Sequence, residues 1–262
     1  METTGIDFCE ADPNILFEVG GDRNGVAAYS ISNGASWIKT SWPYGGNGKV
    51  AVSATDSNLI VVVPRDSSPK RSVNRGSTWE ETSGAPAGGV SDFWSGQIPI
   101  AADRVIGSLF YYLDANGNFY RSVDGGSVWS EVSRIAVKPG FIVKTAPGIG
   151  SMVWVSAVAD GLYRSRDGGT TFEKLKNVDQ ALLFAFGKEQ TGIRNPSVFL
   201  YGRVGGIMGI YRSDNLGDSW KIISNEGFTV GINPKVMEGD RQIAGRVYIG
   251  TGGGGIFYGT PR

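Results

Sequence analysis

Asp124 and Asp167 hold the same place in two stretches of the chain, SVDGGSVW at 122–129 and SRDGGTTF at 165–172. A third stretch, SDNLGDSW at 213–220, puts Asn215 there. A carboxylate set between a serine and a glycine turn can move a proton, ligate a cation such as calcium, or tie up the N–H groups of its own turn. Its neighbours recur with it: Ser122, Gly126 and Trp129; Ser165, Gly169 and Phe172; Gly217 and Trp220. Looser copies are SISNGASW at 30–37 and SVNRGSTW at 72–79, with Ser32 and Asn74 in the acidic slot.

The rest of the composition narrows the chemistry. The 262 residues contain no histidine, which excludes Ser-His-Asp and Cys-His nucleophiles, HExxH zinc sites and histidine general bases. Cys9 is the single cysteine, so no disulfide framework, CxxC pair or cysteine-ligated metal is expected. Lys+Arg and Asp+Glu both total 25, so no net field draws the chain to nucleic acid or anionic membrane. GTGGGG at 250–255 fits GxGxxG by letter, but IFYG after it continues as a strand where the dinucleotide motif needs a helix. No phosphate loop occurs, and no cofactor or metal is expected. No apolar run approaches the roughly 20 residues of a membrane span, and METTGIDFCE lacks the regions of a signal peptide. Expressed as written, the chain is expected to be soluble and cytoplasmic.

The elements that position these turns follow from what flanks them. Upstream stand FYRS (119–122), LYRS (162–165) and IYRS (210–213). Further upstream lie the apolar runs ILFEV (15–19), LIVVV (59–63), LFYYL (109–113), VWVSAV (153–158) and VFLY (198–201). Short runs such as WEETS and WKIIS follow the turns. Each unit reads as four strands, with the turn joining the third to the fourth. The turns start at 30, 72, 122, 165 and 213, a spacing of about 40–50 residues that suits propeller blades. The 40 glycines are spread between β-branched and aromatic runs, and no helical stripe or linker interrupts them. The expected fold is all-β, a single β-propeller domain over 1–262 with five full blades of four strands and a partial sixth from about 228. Five such turns spread round a ring cannot converge on one substrate, so the acidic turn reads as a staple.

The turn resembles the Asp-box of sialidase-type propellers. TTGIDFCEADPN (3–14), IPIAADRVIGSLFYY (98–112), GLYRSRDGGTTFEKL (161–175) and MEGDRQIAGRVYIGTGGGGIFYG (237–259) resemble, in that order, the C-terminal propeller of family 74 glycoside hydrolases. These are xyloglucanases and oligoxyloglucan reducing-end-specific cellobiohydrolases. The resemblance implies descent from secreted, inverting enzymes that cleave the β-1,4-glucan backbone of xyloglucan in a cleft between two seven-bladed propellers. Their catalytic aspartates sit in D-[IV]-G-G and G-D-[IV]-G-G-F motifs. By the resemblance both fall ahead of Met1, so neither is carried over, and the blade holding the second is missing. The expected partners are xyloglucan or a related β-glucan, and a separately encoded N-terminal propeller. The alternative is a non-catalytic glucan-binding or protein-interaction propeller.

By the same resemblance the cleft wall is the side of the 2–3 and 4–1 connections. Trp42 with Tyr44, and Asp92 with Phe93 and Trp94, combine flat rings and a carboxylate there, the mixture that sugars require. Packing of long loops between blades is the competing account of these rings. Asp160 takes the place of an aspartate in the family motif and is the remaining candidate for a hydrolytic carboxylate, set against a plain Asp-Gly turn. Asp22 and Asp114 are weaker candidates. Asp7, Asp103 and Asp240 read as ties between inner strands and loops, with Arg104, Arg241 and Arg246 as partners. Trp37, Trp79, Trp129, Trp154 and Trp220 read as core.

Overall fold

A computed structural model describes residues 3–21, 25–89, 96–225, 228–231 and 233–260. Every regular element among them is a strand. The first sheet holds β1 (Thr3–Cys9), β2 (Asp12–Gly20), β3 (Ala27–Ser30) and β4 (Ile38–Lys39). The second holds β5 (Lys49–Val52), β6 (Ile60–Val63), β7 (Lys70–Ser72) and β8 (Glu80–Glu81). The third holds β9 (Ile100–Ala102), β10 (Phe110–Leu113), β11 (Asn118–Ser122) and β12 (Ser130–Arg134). β13 (Ile142–Thr145), β14 (Val153–Ser156), β15 (Leu162–Ser165) and β16 (Glu173–Lys174) make the fourth. β17 (Val178–Gly187), β18 (Ser197–Val204), β19 (Ile207–Ser213) and β20 (Lys221–Ile222) make the fifth. The sixth has three strands, β21 (Pro234–Gly239), β22 (Val247–Thr251) and β23 (Ile256–Gly259). Neighbours in sequence are neighbours in every sheet, and the fold class is the β-propeller with five complete blades and one short of a strand.

Two compact units divide the chain: Met1–Val153 with Ser165–Phe172, and Trp154–Arg164 with Glu173–Arg262. In the first unit the inner strands lie side by side, β1 by β5, β5 by β9 and β9 by β13. In the second, β17 lies by β21.

The unbroken apolar runs have a simple cause. Ile60 and Val62 of β6 pack with Phe17, Val19 and Val52 in the core between the first two blades. Val61 and Val63 point the other way, into the core with Phe110, Tyr112 and Trp129. β6 is thus covered on both faces by neighbouring blades, and an alternating polar pattern there would bury unpaired polar groups. Burial of each such side chain stabilises by about 1.5–3 kcal/mol.

The arginine before the turn serine, unexplained by the repeat alone, joins one blade to the next in three places, whereas Arg212 of IYRS pairs with Asp214 of its own blade at 3.1 Å. Arg71 Nη1 donates to the Asp124 carbonyl at 3.3 Å, and Arg121 Nη1 donates to the Asp167 and Gly168 carbonyls at 3.3 and 3.2 Å. Arg164 Nη1 donates to the Leu216 carbonyl and to Asp218. In all three, a guanidinium on a third strand grips the turn of the following blade. The first blade uses Ser41, whose N–H and Oγ–H donate to the Gly76 carbonyl at 3.1 and 3.0 Å. The turn must lie close for this to work. At Gly169 (φ 84°) a Cβ would stand 2.2 Å from Phe119 Cε1, so glycine is required for both backbone and space.

Candidate functional site

The acidic turn is closed on itself. Gly126 N–H donates to Ser122 Oγ at 2.9 Å, and the serine hydroxyl donates to Asp124 Oδ1 at 2.7 Å. The same oxygen accepts the N–H groups of Ser127 and Val128 at 3.1 and 3.0 Å. Ser165, Asp167, Gly169 and Thr171 repeat the arrangement. Asn74 and Asn215 also repeat it, each Oδ1 accepting an N–H four residues on at 2.9 Å. Partial burial pushes the Asp124 and Asp167 carboxyls up, but their hydrogen bonds outweigh it and hold both below the usual carboxylate range. Their bonding capacity goes into the turn. Among the described residues no group of three or more Asp, Glu or Cys is placed to hold a metal ion.

The inner-strand aspartates are likewise ties. Asp7 accepts from Arg104 Nη2 at 2.5 Å and from Val52 N–H at 2.8 Å. Asp103 accepts from the N–H groups of Val105, Ile106 and Ser151. Asp240 accepts from those of Gln242 and Ile243, with Arg246 at 3.6 Å. Asp114, 1% exposed, is spent on Asn116 and Asn118 and offers no carboxylate to solvent. The tryptophans read as core divide. Trp129 and Trp154 are buried at 3% and 0% exposure, whereas Trp37, Trp79 and Trp220 are half-buried.

On the side of the 2–3 and 4–1 connections, Trp42 differs from the expected sugar platform. It is 9% exposed, stands edge-on to Trp79 with centroids 4.7 Å apart, and donates its indole N–H to the Gly45 carbonyl. Its faces belong to the core of the first two blades. Tyr44, edge-on to Trp42 at 4.9 Å, carries the partly open ring. Beneath it lies a feature that sequence reading missed. Lys70 fills a slot that is tyrosine in three later blades; it is 5% exposed, with Nζ 2.5 Å from Glu81 Oε2 and 5.4 Å from the Tyr44 centroid. The Lys70 hydrogen bond draws the Glu81 carboxyl down. Burial, reinforced by Glu81, raises the Tyr44 phenol, whose O–H donates to Glu81 Oε1 at 3.2 Å. The available signal was the break in the repeat, KRS at 70–72 where later blades read YRS. Asp22, Asp92, Phe93 and Trp94 lie outside the described residues.

Asp160 sits at the tip of the β14–β15 connection, beyond the strand end at Ser156. Oδ1 faces Lys174 Nζ at 2.7 Å, and Oδ2 accepts the Tyr163 hydroxyl. Burial first, then the bond to Asp160, pushes the Tyr163 phenol up to about 12. Val158 in the same turn has φ 55°, a left-handed conformation that costs a β-branched residue about 1–2 kcal/mol. The carboxylate is exposed and reachable, yet both oxygens already have cationic or hydroxyl partners.

No family model matches the chain. The xyloglucanase Xgh74A of Acetivibrio thermocellus is 35% identical over 265 residues, 98% of this chain and 30% of its own length. A xyloglucanase of Paenibacillus sp. is 31% identical over 275 residues, 99% of this chain and 26% of its own. The crystal structure of the GH74 xyloglucanase from Xanthomonas campestris superposes with TM-score 0.85 at 30% identity, covering 98% of this chain and 37% of that one. The chain therefore spans about 30% of the first curated relative. Along essentially its whole length it is a homologue of one part of the family 74 glycoside hydrolases.

Proposed function

We propose that the chain is the glucan-contacting propeller of a xyloglucan-directed, inverting β-1,4-glucan hydrolase, and that alone it hydrolyses xyloglucan weakly or not at all. The observation that carries this reading is the 35% identity to a xyloglucanase along 98% of the chain. Inversion needs a general acid and a general base roughly 6.5–9.5 Å apart, one on each side of the sugar. The resemblance gives neither catalytic aspartate a counterpart within residues 1–262. Asp160, shared between Lys174 and Tyr163, fits a clamp on its hairpin better than a proton donor. An N-terminal propeller, on the same polypeptide or on another, supplies the two acids.

Sugar contact is assigned to the side bearing Tyr44. The ring is half-open, and Lys70 and Glu81 hold it in place, which lowers the entropy lost when a pyranose stacks on it. Trp94 and Asp92 belong to the same proposed surface.

Affinity electrophoresis through xyloglucan tests the assignment. The unmutated protein is expected to be retarded, and Tyr44→Ala and Trp94→Ala each to weaken retention about tenfold, as the loss of one stacking ring implies. Unretarded wild-type protein removes the glucan-binding reading. Reducing-sugar release should stay at background; release abolished by Asp160→Asn would overturn the inactivity of the isolated chain.

A further inference from the structure

In each complete blade the third strand carries one side chain two residues ahead of the turn serine. In chain order these are Ala28, Lys70, Tyr120, Tyr163 and Tyr211. The second blade alone buries an ammonium there, and the half-open ring of Tyr44 lies over it. A buried ammonium costs more to desolvate than a methyl or a phenol, so the repeat itself gives no reason for it. The lysine is fully occupied. Its Nζ donates to Glu81 Oε2 at 2.5 Å and to Ser68 Oγ at 3.2 Å, and the Tyr44 ring centre is 5.4 Å away. Glu81 keeps capacity in reserve. Oε1 accepts the Tyr44 hydroxyl at 3.2 Å and Oε2 accepts Lys70, which leaves about two of the four lone-pair positions of a carboxylate open among the described residues. The Glu81 side chain is 69% exposed, so those positions face solvent beside the ring.

We propose that Glu81 is the hydrogen-bonding half of a pyranose subsite whose stacking half is Tyr44, and that Lys70 is the positioning residue beneath both. This deepens the glucan-binding reading and rests on it. A sugar lying on the ring carries hydroxyls beyond the ring's edge, next to the carboxylate that already touches the phenol. Those hydroxyls donate and an ionised carboxylate only accepts, so the two are complementary. A uronic acid would bring its own carboxylate against Glu81 and find Lys70 buried and occupied, which fits the site to neutral units such as glucose or xylose. Ring, carboxylate and ammonium are already tied together, so little freedom is lost when the sugar arrives.

Mobility through a xyloglucan gel, read against a gel without polysaccharide, separates a sugar contact from a strut. Tyr44→Phe keeps the ring and removes its bond to Glu81. In that background a carboxylate that merely steadied the phenol has nothing left to do for binding. Glu81→Gln and Glu81→Asp are each expected to raise the dissociation constant of Tyr44→Phe about tenfold, the loss implied by one hydroxyl–carboxylate bond. Glu81→Asp leaves a carboxylate beside Lys70, so a loss there does not come from an orphaned ammonium, and thermal melts check that both variants fold. Wild-type protein retarded by xyloglucan, with neither substitution weakening Tyr44→Phe, overturns this proposal and leaves the glucan-binding reading standing. Unretarded wild-type protein removes both.

Discussion

At the scale of single residues, the acidic slot of the repeated turn is interchangeable in one respect and not in another. Asn74 and Asn215 make the backbone bond that Asp124 and Asp167 make. Their Nδ2 donates to Thr78 and Ser219 where Asp167 Oδ2 instead accepts from Thr171. Asp167→Asn is therefore expected to change stability at neutral pH by under about 0.5 kcal/mol, and Asp167→Ala to cost about 1–2 kcal/mol through unmet N–H groups. Urea midpoints of the two variants check this, and an Asn variant as damaged as the Ala variant would show that charge, not hydrogen bonding, holds the turn. Tyr44 belongs to this scale too. Trp42 has the same aromatic chemistry, but tertiary contacts cover its faces.

At the scale of elements, the blade interface joins a turn that needs glycine to an arginine that needs the turn's carbonyls. Gly169→Ala would put a methyl into Phe119 and force a left-handed alanine, a combined cost of about 2–4 kcal/mol. Arg121→Ala removes bonds to two carbonyls and should cost about 1 kcal/mol, with Arg121→Lys restoring part of it because both bonds come from the one nitrogen Nη1. Thermal melts of these variants give the order, and Gly169→Ala melting like the wild type would refute the close approach. The two-residue fourth strands β8 and β16 each follow a turn held by the preceding blade, through Ser41 and through Arg121.

At the scale of the whole molecule, the absence of histidine shapes the response to pH. Carboxyls held below their ordinary range at Glu81, Asp124, Asp167 and Asp240 contribute stability that is complete above the unfolded pKa of about 4 and is lost as pH falls through the depressed folded values. Phenols raised mainly by burial at Tyr111, Tyr112 and Tyr163 act in the opposite sense. Their contribution is complete below about 10 and is lost as pH rises toward the folded values, because the unfolded chain ionises first. Between these limbs the chain has no histidine to titrate. The urea midpoint should be level from about pH 5.5 to 8; a slope near pH 6–7 would contradict this account.

What the sequence determined by itself was whatever closes within a few residues. The Ser-x-Asp-x-Gly turn spans four residues from hydroxyl to amide, so its spacing is legible in the chain and its role as a staple follows. Blade number and strand order were legible for a related reason: the turn, the xYRS run before it and the apolar run upstream recur every 40–50 residues, one set to a blade. What the tertiary structure decided joins distant residues. Arg121 meets a turn 46 positions on, and Arg104 reaches Asp7 across 97. Which ring is core and which is open at Trp42 and Tyr44 depends on how loops run between sheets. No local preference encodes that path, because the contacts that set it form only once neighbouring blades have met.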